Sequence, residues 1–340
     1  MISTKGLSGV QSLYSRIVEL FPQKFTFCFA YGSGVFKQLG SSDQSKNVID
    51  IIFSVDNPSE WHRENIAKNR KHYSLLGWFG HEAVAKYQEN WGAKVYFNTL
   101  VPIEKENAVI KYGVISHSAL VTDLLDWNDL YLAGRLHKPV EIIRNASYSE
   151  LRSALQQNLH SVVHAALLLL PDAFTEKKFY ETIAGISYFG DFRMIFGEDK
   201  NKIENIVLPQ IKAFWDLYAP VLNSMSDYVD VHHSDDGHQM CYQNFSPTAR
   251  HYHLNQLPRT PQRAVVRAWN KGSVKYRQDT EDALHSMAFD PDCGKMLDSC
   301  IRDIVWSSSI TQSLKGILTA GLLKSVKYSA KKVLKMYKSL

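Results

Sequence analysis

The sequence has few cysteines and no long apolar run. Its four cysteines form no CxxC pair; they are Cys28, Cys241, Cys293 and Cys300. Such scattered positions exclude a zinc-finger signature and a disulfide scaffold, so we expect buried thiols in a reducing compartment. The longest apolar patch, residues 165–170, ends at Pro171 and is too short to cross a bilayer. The sequence therefore predicts a protein that is soluble or lies on a membrane surface.

The composition excludes disordered and collagen-like classes. Of the 340 residues, 45% are hydrophobic and 21% are charged, which is typical of a globular protein with room for two domains. The formal net charge of +5 permits an anionic partner but does not choose among nucleotide, nucleic acid and lipid head group. The positions of the charges are therefore more informative than their sum.

The N-terminal segment has no acidic residue before Glu19 and carries Lys5, Arg16 and several serines. This composition is typical of a weak transit peptide. The apolar residues of the segment also recur at helical spacing, which predicts a first helix packed on the core. Both interpretations stay open at this point, and one segment can serve both purposes.

The first part of the chain has the pattern of a mixed α/β domain. Aromatic and β-branched runs predict strands at residues 25–31, 48–55, 93–98, 109–115 and 139–143. Helical signals lie between them, including an Asn57-Pro58 helix start and the apolar spacing of residues 118–127. We place this first domain at residues 1–145.

The second part changes to long helices. Apolar spacing predicts helices over 150–170, 176–186 and 201–222, so residues 146–312 form a mainly α domain. Within it, residues 224–280 are rich in His, Asp, Asn, Pro and Arg, and we predict a long irregular insertion there.

The chemistry concentrates where the first strand meets a glycine turn. Gly32, Ser33 and Gly34 follow the strand, and Asp50 lies in the next one, within the apolar run Val-Ile-Asp-Ile-Ile-Phe. A glycine turn lets backbone N–H groups approach a triphosphate, a Ser hydroxyl can bind a terminal phosphate, and a strand-borne carboxylate can hold Mg²⁺. A turn that only connects two strands is the alternative. However, an unpartnered carboxylate in an apolar strand is costly, which favours a nucleotide and metal site.

Eight ordered blocks across nearly the whole chain, residues 224–280 excepted, carry a family resemblance. They are Tyr31-Gly-Ser-Gly-Val-Phe36, Val55-Asp-Asn-Pro-Ser-Glu-Trp-His62, Lys71-His-Tyr-Ser74, Val95-Tyr-Phe-Asn98, Lys111-Tyr-Gly-Val-Ile-Ser116, Tyr131-Leu-Ala-Gly-Arg-Leu-His-Lys-Pro-Val140, Gly190-Asp-Phe-Arg193 and Lys315-Gly-Ile-Leu-Thr-Ala-Gly321. Together they resemble the mitochondrial translocator assembly and maintenance family, the mitochondrial CDP-diacylglycerol synthases or phosphatidate cytidylyltransferases.

The resemblance implies a fold and a reaction. The fold is an α/β nucleotidyltransferase domain with a mixed sheet, then a winged-helix-like α domain, then a C-terminal membrane-binding segment. The reaction is CTP plus phosphatidic acid giving CDP-diacylglycerol and pyrophosphate, with Mg²⁺ as cofactor. The place is the matrix side of the mitochondrial inner membrane, where the protein is peripheral and supplies cardiolipin synthesis.

The metal site departs from the broader polymerase-like superfamily, in which two acids two residues apart point to one face of the strand. Here position 52 is Ile, so a second carboxylate must come from elsewhere or be absent. Asp56, Asp123 and Asp191 are the candidates. We predict Asp191, because it lies in one of the family blocks. The long loop at residues 37–47 is a candidate lid over the nucleotide.

Three cations are candidates for binding the phosphates. Lys111 lies in an otherwise apolar strand run, and Arg135 and Lys138 lie in the Gly-Arg-Leu-His-Lys block. As phosphate ligands they would offset the repulsion between the two anions that this reaction brings together. The alternative for Lys111 is an edge-strand lysine that extends into water, and the sequence does not decide between the two.

The chain ends in a basic segment, residues 313–340, without acids from Leu314 onward. Within residues 320–340, apolar side chains and lysines separate onto two faces of a predicted helix; the lysines are Lys324, Lys327, Lys331, Lys335 and Lys338. A basic amphipathic helix of this kind binds an anionic membrane surface. A terminal helix packed on its own domain is the alternative.

Two other functions compete with the lipid enzyme. A nucleotidyltransferase acting on RNA or a small molecule would share the turn and the acid. It would also carry interleaved basic and aromatic residues on an RNA-facing surface, whereas the clearest basic cluster here is the terminal helix, so we expect no nucleic acid partner. A non-catalytic scaffold for inner-membrane assembly would need no buried Asp50.

Overall fold

The computed structural model describes residues 8–36, 48–196, 201–233, 239–272 and 277–320. The predicted lid at residues 37–47 and the terminal segment from residue 321 lie outside these ranges. Among the residues described, no helix combines the length and the apolar character that crossing a membrane requires. The four cysteines are buried free thiols, as predicted.

A five-stranded mixed sheet forms the first half of the chain. Its strands are β1 (Phe27–Tyr31), β2 (Ile49–Val55), β3 (Tyr96–Ile103), β4 (Ala108–Ser116) and β5 (Glu141–Arg144). They lie side by side in the order β3-β4-β2-β1-β5, with β2 and β4 parallel and the other neighbours antiparallel. All five predicted strands are present, and the arrangement is consistent with a nucleotidyltransferase-like α/β fold.

The helices of this half are α1 (Ser8–Glu19), α2 (Pro58–Asn69), α3 (His81–Asn90), α4 (His117–Asp126) and α5 (Ala133–Leu136). Asn57 caps α2 through a hydrogen bond from the Glu60 N–H, as the Asn-Pro start predicts. In α1, Tyr14, Ile17 and Val18 are buried, so the prediction of a first helix packed on the core is confirmed.

The two faces of the sheet meet different partners, because side chains alternate along each strand. Ile51 and Phe53 of β2 point towards α1 and α2. Ile52 points to the opposite face, where it joins a large core with the helical half of the chain. Asp50 has the same parity as Ile52, so its carboxylate lies on the face towards the helical half.

The helical half contains nine helices among the residues described. They are α6 (Ser149–Leu169), α7 (Glu176–Gly185), α8 (Arg193–Phe196), α9 (Lys202–Val207), α10 (Ile211–Asn223), α11 (Pro247–Asn255), α12 (Arg259–Gly272), α13 (Thr280–Ala288) and α14 (Cys293–Ala320). Strands β6 (Ala173–Thr175), β7 (Val229–His233) and β8 (Gln239–Gln243) form a small sheet in the order β6-β8-β7.

The irregular insertion predicted for residues 224–280 is wrong, because this stretch holds β7, β8, α11 and α12. Most residues of this stretch are polar, but a few apolar residues at wide spacing enter the core. They are Val229, Cys241, Leu254 and Val265. Further on, α14 continues without a break through residue 312, where we predicted the last segment to separate. The domain division itself stays a prediction.

Candidate active site

Three neighbouring strands place one side chain each in a single row. Asp50 on β2 lies opposite Tyr31 of β1 on one side and Lys111 of β4 on the other. Directly paired residues point to the same face of a sheet, so all three face the helical half. The Lys111 Nζ lies 3.4 Å from Asp50 Oδ1. The carboxylate in the apolar strand therefore has a charged partner.

The glycine turn lies against this row. Gly32 has a φ of +84°, which glycine adopts without strain, and its carbonyl accepts hydrogen bonds from the N–H groups of Val35 and Phe36. A Cβ at Gly32 would lie 3.3 Å from Asp50 Oδ2, and one at Gly34 would lie 2.5 Å from the Val48 carbonyl oxygen. The turn therefore lies directly beside the Asp50 carboxylate.

Lys111 rests on an aromatic support. Its ammonium group lies 4.3 Å from the centroid of the Phe97 ring, a cation–π contact. The Phe97 ring can occupy this place because residue 113 is glycine. A Cβ there would lie 2.6 Å from the ring and would clash with it. Strand β4 is internal and the Lys111 side chain is only 16% exposed, so Lys111 is not an edge-strand lysine in water.

Helix α5 and the residues before it supply the opposite wall of the site. The buried carboxylate of Asp123 accepts hydrogen bonds from the N–H groups of Leu132 and Ala133 at 2.8 and 3.0 Å, which fixes the start of α5. Arg135 of α5 lies 3.8 Å from the Tyr131 ring and 5.4 Å from the Tyr31 ring. Arg135 therefore joins the site, and Asp123 holds α5 rather than a metal.

Lys138 extends the positive wall. Its ammonium group donates to Ser187 Oγ at 2.9 Å and to the Gly134 carbonyl, and it lies 5.1 Å from the Tyr188 ring. Burial, followed by repulsion from Arg135 and Lys202, lowers the pKa of Lys138 to about 7. An anion beside Lys138 would favour the protonated amine.

Asp191 lies buried in the loop before α8. Its two carboxylate oxygens accept hydrogen bonds from Arg193 Nε at 2.9 and 3.0 Å, and Arg193 Nη2 also donates to Oδ2. These contacts compete with a metal, so the predicted metal-binding role of Asp191 gains no support from them. The other candidate, Asp56, accepts a hydrogen bond from the Tyr148 hydroxyl at 2.8 Å.

The electrostatic balance of the site is positive. Burial alone would raise the pKa of the Tyr131 phenol, yet Arg135, Lys111 and Arg193 together lower this pKa below its usual value. Sequence reasoning missed the parts played by Tyr31, Tyr131 and Arg193. All three residues belong to the family blocks quoted above, and that membership was the usable signal for them.

The residues present fit a Mg²⁺ ion that shares its ligands with a substrate. Within the described ranges, no group of three or more His, Cys, Asp or Glu side chains is placed to hold a metal. Mg²⁺ is commonly bound by one or two carboxylates together with substrate phosphates, and the Asp50 carboxylate suits that arrangement. Tyr31 Oη and Arg135 Nε are buried and lack a hydrogen bond of good geometry among the residues described, although the two side chains interact with each other, so a phosphate oxygen between them would satisfy both.

The matching family and the similar proteins carry the same description. Residues 14–335 match the family described as "Phosphatidate cytidylyltransferase, mitochondrial". Proteins of that name are similar to this chain over nearly its full length. The protein from Danio rerio is 47% identical over 339 residues, covering 99% of this chain and 98% of its own. Those from Xenopus laevis and Drosophila melanogaster are both 44% identical, covering 98% and 96% of this chain and 97% and 98% of their own.

Proposed function

The chain belongs to the family of mitochondrial phosphatidate cytidylyltransferases, and we propose that its reaction takes place at the row formed by Tyr31, Asp50 and Lys111. The chain is a transferase of phospholipid biosynthesis that converts CTP and phosphatidate to CDP-diacylglycerol and pyrophosphate. The observation that supports the location is the position of the Asp50 carboxylate, which interrupts an apolar run of β2 and lies against the glycine turn and beside Lys111.

The proposed step is an in-line displacement. A phosphatidate oxygen forms a bond to the α-phosphorus of CTP while the bond from that phosphorus to the bridging oxygen breaks, and pyrophosphate leaves with the electron pair. A phosphomonoester loses its second proton at a pKa of about 6, so the nucleophile needs no dedicated base at neutral pH. Mg²⁺ held by Asp50 and by triphosphate oxygens would neutralise charge on the phosphates.

CTP and phosphatidate are both anions and repel each other. The cations of the site reduce this repulsion. Lys111 lies on the sheet, Arg135 of α5 lies near the Tyr31 ring, and Lys138 follows α5 and donates to Ser187. We assign them to the phosphates of CTP and phosphatidate, with the glycine turn offering backbone N–H groups to the triphosphate.

Asp191 has a different role in this proposal from the one predicted for it. Because Arg193 occupies both of its carboxylate oxygens, Asp191 acts as a positioning residue that aims Arg193 at Tyr131 and the phosphates. If Asp191 instead binds the metal, Asp191→Asn should raise the Mg²⁺ concentration needed for half-maximal rate. The positioning role predicts an unchanged Mg²⁺ requirement and a higher KM for CTP.

The test of the site is Asp50→Asn, which keeps the volume of the side chain and removes its charge. With labelled CTP, Mg²⁺ and phosphatidic acid vesicles, the rate should fall by roughly 10³-fold or more. The melting temperature should be measured alongside, because the ion pair with Lys111 is mostly buried and the loss of one charge lowers stability.

Asp56→Asn is the matched control, because Asp56 follows the same strand but its carboxylate bonds to the Tyr148 hydroxyl rather than to Lys111. It should keep the wild-type rate. Normal activity of the Asp50→Asn protein would refute the proposed active site. Such a result would favour the non-catalytic scaffold. Labelling of tRNA in a parallel reaction would indicate an RNA-directed enzyme instead.

We further propose that the protein works on the matrix side of the mitochondrial inner membrane, as a peripheral protein that supplies cardiolipin synthesis. The mitochondrial names of the relatives and the basic residues 320–340 support this location. The small β6-β8-β7 sheet beside long helices supports the winged-helix-like prediction for the second half. Flotation of a chain ending at residue 319 tests the terminal segment, and undiminished binding to anionic vesicles would count against it.

A further inference from the structure

The last turns of α14 have an inverted pattern of exposure. Leu314 and Leu318 are 60% and 59% exposed, whereas Gln312 and Lys315 on the other side of the helix are only 4% and 2% exposed. A helix end that faces water normally buries its leucines and exposes its lysine. This helix does the opposite, which indicates an apolar environment outside the protein.

Hydrogen bonds fix the helix in that rotation. The Lys315 ammonium group donates to the carbonyls of Gln88 and Trp91 at 2.8 and 2.6 Å, where it caps the C-terminal end of α3. Gln312 accepts from the Ala93 N–H at 3.0 Å and donates to the Val95 carbonyl at 3.2 Å. Turning the helix to bury its leucines would break all four bonds.

A second apolar element lies beside this helix end. The 3-10 turn Leu75–Phe79 exposes Leu75, Trp78 and Phe79 by 77%, 78% and 75% of their surfaces. Its neighbour Ser74 donates a hydrogen bond from Oγ to the Leu318 carbonyl at 3.0 Å, which joins the turn to the end of α14. We call the combined surface the apolar patch; its members are Leu75, Trp78, Phe79, Leu314 and Leu318.

Three cations precede the 3-10 turn of the apolar patch in sequence, and the acid Glu82 follows it. Between Glu64 and Glu82 the sequence has no acid but contains Lys68, Arg70 and Lys71. The Arg70 guanidinium lies 4.7 Å from the Trp78 ring centroid. Exposed tryptophan and phenylalanine flanked by cations suit the interface of an anionic bilayer, where the rings enter the acyl region and the cations meet lipid phosphates.

The same helix also reaches the candidate active site. The N–H of Phe192, next to Asp191, donates to Ser309 Oγ on α14 at 3.3 Å. Ser309 precedes Leu318 by nine residues, a distance of about 14 Å along a helix. If the apolar patch binds a membrane, α14 would therefore fix the distance between the Asp191 loop and the membrane surface.

We propose that the apolar patch inserts into the surface of a bilayer that contains anionic phosphatidate, as a membrane contact separate from residues 320–340. This inference rests on the proposed function, because the lipid substrate resides in such a bilayer. We favour a bilayer over a second copy of the chain as the surface that covers the patch, because the cations beside the patch complement anionic head groups.

The test uses the full chain with Trp78→Ser and Phe79→Ser combined. Flotation with phosphatidylcholine vesicles containing phosphatidic acid should show binding at least about tenfold weaker than wild type. Brominated lipids should quench wild-type tryptophan fluorescence more than that of Trp78→Ser. Phe289→Ser is the matched control, since Phe289 is also exposed but follows α13 in the helical half and is not a member of the patch, and it should bind as wild type does.

A short-chain, water-soluble phosphatidate separates this inference from the proposed function. The double variant should convert it at the wild-type rate, whereas a wild-type protein inactive on both lipids would refute the function and leave flotation as an independent test. Unchanged flotation and quenching would overturn the inference. So would a wild-type dimer that the double variant converts to monomer, because a second copy would then cover the apolar patch.

Discussion

Replacement of Gly190 by alanine tests whether α14 positions the loop that carries Asp191 and Arg193. A Cβ at Gly190 would lie 2.1 Å from the Arg302 carbonyl oxygen of α14, whereas ordinary contacts begin near 3.4 Å. The oxygen is a backbone atom, and the position of a Cβ is fixed by the backbone that carries it, so the loop must move by the difference of 3.4 and 2.1, which is 1.3 Å. Overpacking of this kind costs about 1–3 kcal/mol, or several degrees in melting temperature.

The effect on activity should be larger than the effect on stability. A misplacement of about 1 Å in a positioning group costs on the order of 10²-fold in rate. The assay is CDP-diacylglycerol formation from labelled CTP, measured with CTP varied below and above KM, alongside thermal unfolding. Gly316→Ala is the matched control: a Cβ there meets no atom within 4 Å, and alanine favours the interior of α14 by about 0.5–1 kcal/mol.

The control should therefore melt slightly above wild type and keep full activity on short-chain phosphatidate. If Gly190→Ala also kept the wild-type rate and melting temperature, the loop would not depend on its close contact with α14. Asp191 and Arg193 would then not owe their positions in the site to α14.

Two further predictions concern lysines whose pKa is lowered. The pKa of Lys138 is lowered to about 7 by burial and neighbouring cations, so the group loses its charge as pH rises through 7 and anion binding should weaken. The KM for CTP should rise more between pH 6.5 and 8.5 in wild type than in Lys138→Arg; equal slopes would exclude Lys138 from phosphate binding. Burial also lowers the pKa of Lys315 to about 7, so the unfolded chain binds more protons there and folding stability contributed by this group rises with pH above 7. Chemical denaturation of wild type and Lys315→Met should show that rise only in wild type.

Local features of the sequence determined a large part of the first half. Aromatic and β-branched runs predicted the strands, and these runs are nearly continuous because both faces of the sheet are covered. The glycine turn and Asp50 could be paired from the sequence alone, since adjacent antiparallel strands bring the end of one beside the start of the next. An acid in an apolar strand is informative for a related reason: its desolvation must be compensated.

The tertiary structure alone decided which distant groups meet. Arg193 acts on Tyr131 across more than sixty residues of chain, which no local pattern encodes. The sequence of residues 224–280 predicts an irregular segment because most of its side chains are polar. The few apolar side chains that enter the core are too widely spaced to show a periodic pattern. Finally, the leucines of α14 resemble ordinary core residues in the sequence, but the helix turns its polar side to α3 and β3. The sequence determines the periodicity of that helix, whereas its rotation is set by hydrogen bonds from Gln312 and Lys315 to backbone more than 200 residues earlier.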